Sequence, residues 1–238
     1  MAQTIASRAD PPAGDRVVVI VAALDEADRI GDTLAALTDA FGAARMFLAD
    51  DGSADATPEI ARAAGATVVR SERVIGKGQA MTAAAREALR DAGTGESIFV
   101  LCDGDLGESA TRLGPLVDAV RAGEADVAVA LFSRRIGGGL GVAVSFARWA
   151  IRRRSGLDTR APISGQRALR RRALEDVLPF AGGFGMEVGM TIDAARAGYR
   201  VLEVELELTH RATGRTPAGF AHRAHQLVDF ARAYAARS

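Results

Sequence analysis

Short apolar runs recur along this chain with room for one helix between each pair, and that rhythm admits few folds. Arg16–Ala22 (RVVVIVA), Arg45–Ala49, Ala66–Arg70, Ile98–Cys102 and Asp126–Leu131 each read as a strand. An unbroken run such as Ile98–Cys102 belongs to a strand buried on both faces. Helical patterns fill the intervals. About four turns carry Ile30, Leu34 and Leu37; a second helix has Thr57-Pro58 as N-cap and first position, with Ile60 and Ala64 inward. A third follows Gly76-Lys77-Gly78 over about 78–92, and a fourth lies near 110–122. Strand–helix alternation implies an α/β protein with a mainly parallel sheet and right-handed crossovers.

The rhythm changes after Leu131. Gly137-Gly138-Gly139 and Gly141 make a loop, and a basic amphipathic helix covers about 142–155. A short strand over Pro162–Ala168 and helices at 170–177 and about 186–197 follow, the last after Gly182-Gly183-Phe184-Gly185. Val201–Leu208 alternates apolar and acidic residues, the pattern of an edge or antiparallel strand with one wet face. A final helix is expected over 217–236. The chain of 238 residues divides into a polar leader expected to be disordered (1–15), a first half (16–132) and a second half (133–238) of the same domain.

Formal net charge is zero, so no global field draws the chain to nucleic acid. The single cysteine, Cys102, forms no internal disulfide, and no window reaches about 20 apolar residues, so a cytoplasmic protein without a membrane span is expected. Two biases stand out. Of the 30 basic residues only Lys77 is lysine, which suggests a site needing a compact ammonium. Residues 134–172 hold 11 Arg against one acid, Asp158, with Phe146, Trp149 and Ile151 interleaved. That stretch fits a peripheral contact with anionic lipid, and equally a solvated face with its apolar residues in the core or a homodimer interface.

Loops after the carboxyl ends of parallel strands share one rim, where open α/β sheets bind ligands. Here they present Leu24–Glu26, Asp50–Ser53, Gly76–Gly78 and Asp103-Gly104-Asp105. Alone, the last triplet fits an acidic turn as well as a metal site. Together the loops offer carboxylates and backbone for a base and ribose, a lysine at a glycine-flanked helix start for phosphate, and an acid pair for a divalent cation.

Asp50-Asp51-Gly52-Ser53-Ala54-Asp55-Ala56-Thr57, Gly76-Lys77-Gly78 and Cys102-Asp103-Gly104-Asp105-Leu106 resemble the family 2 nucleotide-sugar glycosyltransferases of the GT-A fold, a Rossmann-like, mainly parallel sheet flanked by helices with a smaller mixed acceptor-side region. Ala161–Ala168, Pro179–Gly189 and Thr209-His210-Arg211 narrow the resemblance to glucosyl-3-phosphoglycerate synthases and their relatives. It implies a hexosyltransferase moving glucose from a UDP-linked donor with Mg²⁺ or Mn²⁺. Ala23, Leu24 and Glu26, with Asp50 and Asp51, would hold the base and nearby groups. Lys77 would approach the diphosphate. Asp105, helped by Asp103 and Gly104, would bind metal and sugar phosphate, with His210 as third ligand. Gly165 and Glu187 would border the donor sugar, Glu187 as catalytic carboxylate. His222 and His225, on the last expected helix, read as structural or surface residues.

The sequence departs from the resemblance in two places. The first strand leads into Ala22-Ala23-Leu24-Asp25-Glu26 without the usual proline. The phosphoglycerate-using relatives place an Arg directly after the glycine loop, whereas Gly139 is followed by Leu140, and Arg134 and Arg135 precede it. Without that anion clamp the acceptor stays open: a small anionic molecule or a polyprenyl phosphate at a membrane surface. A nucleotide-sugar-binding protein without catalysis is the remaining reading.

Overall fold

The computed structural model describes residues 16–133, 142–208 and 227–237. The elements run β1 (Arg16–Ala23), α1 (Ile30–Phe41), β2 (Arg45–Asp50), α2 (Thr57–Ala63), β3 (Thr67–Arg70), α3 (Lys77–Asp91), β4 (Ser97–Asp103), α4 (Gly114–Arg121), β5 (Val127–Phe132), α5 (Val142–Ser155), β6 (Arg167–Arg170), α6 (Arg171–Asp176), α7 (Met186–Arg196) and β7 (Val201–Leu206). A last helical segment covers 227–235.

The described strands form one seven-stranded sheet in the order β3-β2-β1-β4-β6-β5-β7. β1 pairs in parallel with both β2 and β4, so the purely apolar runs occupy the middle of the sheet. β6 runs antiparallel to both β4 and β5, which makes the sheet mixed where the two halves of the chain meet. Helices cover both faces over two apolar clusters. Val19, Val21, Leu34, Val100 and Leu116 lie in one, and Val18, Ile20, Met81, Phe99 and Leu101 in the other. Successive residues of β1 and β4 thus point into opposite clusters, as a period of two requires.

The α/β reading and the five strands expected in the first half hold, and several local expectations change. The helix expected near 110–122 is a 3₁₀ turn over Gly107–Leu113 followed by α4, which starts at Gly114-Pro115. Thr57 is the first residue of α2 and not its cap; its hydroxyl serves Glu26 N and Asp55 instead. Ala61 turns inward where Ala64 was expected, and Ala64 is exposed. β6 starts later than Pro162. β7 is an edge strand, but it pairs with β5 in parallel. The leader 1–15, Arg134, Arg135, the glycines of 137–141, Leu140, His210, His222 and His225 lie outside the described residues.

Candidate active site

The loops after β1 and β2 are laced together before they can meet any ligand. Asp25, in a left-handed conformation (φ 55°), donates its N–H to Ser53 Oγ at 3.0 Å, and its carboxylate accepts Ala54 N–H at 2.7 Å. Glu26 N–H donates to Thr57 Oγ1 at 2.8 Å and Ala27 N–H to Asp55 at 3.0 Å. A positive φ outside glycine is strained, and four cross-loop bonds hold it here. These partners fix Ala23, Leu24 and Glu26 on the rim, where Leu24 is 40% exposed and Ala23 is buried.

Asp50 and Asp51, expected at the base, are turned inward. Asp50 is fully buried; it accepts Ser53 N–H at 3.1 Å and pairs with Arg70 at 3.3 Å, so it presents no atom to the rim. Asp51 accepts Ile75 N–H at 2.8 Å and Gly76 N–H at 3.0 Å. A carboxylate that gathers two backbone N–H groups shapes the turn that delivers the next residue, Lys77.

Lys77 opens α3 and ties three elements together. Its Nζ lies 2.6 Å from Asp103 Oδ1 at the end of β4 and 2.8 Å from Glu187 Oε1 in the first turn of α7. Gln166 Nε2 donates to the other Asp103 oxygen at 2.7 Å. Burial pulls the Lys77 ammonium down, but the charges and hydrogen bonds of Asp103 and Glu187 more than offset it, and its pKa lies above the ordinary lysine range. Gly165 closes the group: a Cβ there would lie 2.9 Å from Asp103 Oδ2 and 3.0 Å from Lys77 Nζ. Gly78 brings α3 against the 181–182 backbone, since a Cβ there would lie 1.9 Å from Ala181 O.

The turn carrying Asp105 is shaped from behind. Gly104 N–H donates to Ala22 O at 2.8 Å, and Arg29 Nη1 donates to Asp105 O at 3.1 Å. Thr33, fully buried on α1, donates to Gly104 O at 2.8 Å and accepts Gly107 N–H at 2.8 Å, spanning the turn with one hydroxyl. Asp103 and Asp105 therefore stand at one bend, both partly exposed. Two carboxylate side chains there suit a hard cation with oxygen preference. Among the described residues no group of three His, Cys, Asp or Glu side chains completes a metal site. Cys102, beside Asp103, is buried, and burial first of all pushes its thiol up, which removes it as a nucleophile.

Sequence reasoning did not find Gln166, Thr33 or Arg167. Gln166 and Arg167 adjoin Gly165 in the quoted motif, which was the available signal; Thr33 gave none, being one polar residue on an apolar helix face. Arg167 is fully buried and donates to Ser164 O at 2.9 Å, Thr191 Oγ1 at 2.9 Å and Glu187 O at 3.1 Å. Burial pulls its guanidinium down to about 10, with the charges of Glu187 and Glu203 opposing, so it is charged at neutral pH.

The sequence description of glycosyl transferase family 2 matches residues 18–178. The chain belongs to that family. Glycosyltransferase AglJ of Haloferax volcanii is 30% identical over 85% of this chain and 66% of its own length. A glucosyl-3-phosphoglycerate synthase of Mycolicibacterium paratuberculosis is 32% identical over 80% of this chain and 63% of its own. An undecaprenyl-phosphate mannosyltransferase of Micrococcus luteus is 30% identical over 84% and 86%. The chain thus spans about two thirds of the first two relatives. Among solved structures, the Mycobacterium tuberculosis glucosyl-3-phosphoglycerate synthase in complex with Mn²⁺, UDP and glucosyl-3-phosphoglycerate superposes with a TM-score of 0.71 at 25% identity, over 94% of this chain and 81% of that one. Family 2 membership and the GT-A fold are therefore properties of this chain.

Proposed function

We propose that the protein transfers a hexose, glucose in the first instance, from a UDP-linked donor to an acceptor hydroxyl or phosphate oxygen, with Mg²⁺ or Mn²⁺. The observation that carries this is Lys77 joining Asp103 and Glu187, residues 26 and 110 positions away, at the ligand-binding end of the sheet. The synthase with Mn²⁺ and UDP bound supports the donor and cation assignment. In this reading 16–132 forms the donor half and 133–238 the acceptor-side half.

The cation would be held by Asp105 with Asp103, and by His210 from outside the described residues. The chemistry it supplies when bound is neutralisation of the charge on the leaving diphosphate. Asp103 has a second task. Lys77 and Gln166 engage its two oxygens and fix its plane. Lys77 places a positive charge beside the diphosphate, where negative charge grows as the bond to the sugar breaks. Glu187 would border the donor sugar, where its carboxylate offsets positive charge on the oxocarbenium-like ring. Arg167 and Thr191 hold the backbone that carries it. Leu24, with the backbone of Ala23 and Glu26, borders the base, while Asp50 and Asp51 act one step back by shaping the loops. Gly104 and Gly165 let donor and side chains approach closely.

Asp105→Ala should abolish transfer and donor hydrolysis while the melting temperature changes little; unaltered turnover would remove the assignment. Calorimetric binding of UDP-glucose and Mn²⁺ without hydrolysis or transfer to any acceptor would instead support a binding protein. A polyprenyl-phosphate acceptor is the second reading. The Micrococcus relative supports it, as does the arginine-rich α5 with its exposed tryptophan. No helix among the described residues is long and apolar enough to cross a membrane; in that reading the enzyme meets the lipid at the membrane surface.

A further inference from the structure

We infer that the outward face of α5 docks on an anionic lipid bilayer. α5 is two-sided. Ala147, Ala150 and Ile151 join Val188 and Ile192 of α7 and Phe230 in one apolar cluster, which anchors the helix. The other side exposes Val142 and Trp149, at 56% and 50%, together with Arg148, Arg152 and Arg153. Trp149 is held in place there. Its ring meets Phe146 at 5.5 Å and Tyr234 at 5.0 Å between centroids, and Arg154 lies 3.9 Å over the Tyr234 ring.

Charge and shape choose the occupant. α5 carries four arginines and no acid, and the nearest acid on the following loop, Asp158, faces Arg152 at 3.6 Å as an exposed pair. Exposed ion pairs are weak and screened, so the face remains basic. A second copy meeting this face about a two-fold axis would set arginines against arginines. An anionic headgroup layer instead complements them, while Trp149 and Val142 enter the interfacial zone and the arginine stems lie along it. α5 packs by its inner face on α7, whose first turn carries Glu187, so one helix separates the docked surface from α7.

Trp149 is the chain's only tryptophan, and its emission reports this face without labelling. The intact protein, with no sugar donor present, is titrated with phosphatidylglycerol vesicles and with phosphatidylcholine vesicles. Expected with the anionic vesicles are a blue shift, quenching by brominated acyl chains and co-sedimentation that weakens with salt. Arg152→Glu with Arg153→Glu should weaken binding by about tenfold or more. No shift with anionic vesicles overturns the inference, as does vesicle binding that Trp149→Ser and the arginine reversals leave unchanged. A lipid-free blue shift that grows with protein concentration alongside a sedimenting dimer assigns the face to a second copy and overturns it too. The donor-binding experiments above do not depend on this result, so either proposal can fail alone.

Discussion

Lys77 and Gly165 constrain each other. A Cβ on Gly165 would lie 3.0 Å from Lys77 Nζ and 3.2 Å from Asp103 Oδ1, so glycine at 165 is what leaves the ammonium room beside the strand end. The planar guanidinium of arginine needs more room, which gives a physical reason for the chain's one lysine to stand at this position. Lys77→Arg should therefore lose activity almost as far as Lys77→Met, with kcat/KM down by roughly 100-fold or more in both. Steady-state kinetics with a UDP-sugar donor checks this, and full activity in the arginine variant would show that the fit is loose. The sign of the pH dependence also follows. The folded pKa of Lys77 is raised, so its stabilisation is fully present below the ordinary lysine pKa and is lost only as pH climbs through the folded value. At neutral and acid pH the ammonium keeps its charge. Thr33 acts at the same scale through its single hydroxyl. Thr33→Val leaves Gly104 O and Gly107 N without their partner, at about 1–3 kcal/mol for each orphaned buried group. The expected result is a lower melting temperature and weaker binding of Mn²⁺ with UDP by calorimetry, both restored by Thr33→Ser. A change in melting temperature alone would confine Thr33 to the fold.

At the scale of elements, the junctions between the halves decide where the site residues stand. α3 reaches the 181–182 segment only because residue 78 is glycine: a Cβ there would lie 1.9 Å from a backbone oxygen that cannot swing away. Gly78→Ala should cost about 3 kcal/mol by overpacking. Thermal melts should show a fall of roughly 6–12 °C for a chain of this size. A second junction is Asp126, whose carboxylate accepts Arg200 N–H at 2.9 Å and Arg200 Nε at 3.1 Å, with Arg170 at 3.4 Å; it ties β5 to β6 and β7. The hydrogen bond from Arg200 holds its carboxyl below the ordinary carboxylate range. Its stabilisation is thus present above the ordinary carboxylate pKa and is lost as pH falls through the folded value. Melts from pH 6 downward should show the parent losing stability relative to Asp126→Asn, and parallel curves would deny the linkage. Neither junction was legible in the sequence. Apolar runs announced β1, β2, β4 and β5 because burial on both faces writes itself into composition. The strand expected over Pro162–Ala168 overlaps the antiparallel β6 only at Arg167 and Ala168, because the residues before Arg167 form a turn and β6 runs on to Arg170, a charge that hydrophobic patterning reads as loop. The Asp50 and Asp51 pair was legible as part of a rim. It was not legible as an internal brace, since a carboxylate gathering backbone N–H groups looks, in sequence, like one awaiting a ligand.

For the molecule as a whole, the proposed donor site is where two kinds of sheet are joined. β1 to β4 form a parallel half, and β6 reverses direction against β4 to begin the other. Asp103 ends the last strand of the first half. Gly165, Gln166 and Glu187 come from the second, and Lys77 reaches across to Asp103 and Glu187 together. A ligand seated there contacts both halves, so its binding free energy opposes separation of the sheet as a whole and not the opening of one loop. Binding to the folded state alone at 100 times Kd adds about 2.7 kcal/mol. For a domain of this length that corresponds to a rise in melting temperature of roughly 5–10 °C. UDP with Mn²⁺ should give such a rise in a single cooperative transition. Chelating the cation should remove most of it, and Asp105→Ala should remove it without lowering the ligand-free transition. Glu187→Gln keeps the shape of the side chain but loses its charge opposite Lys77, so it should retain much of the rise from UDP and Mn²⁺ while losing transfer. If Asp105→Ala keeps the full rise, the acid pair is not where the cation and diphosphate sit. If the rise appears only in a separate low-temperature transition, the ligand is held by one half and the two-sided site is wrong.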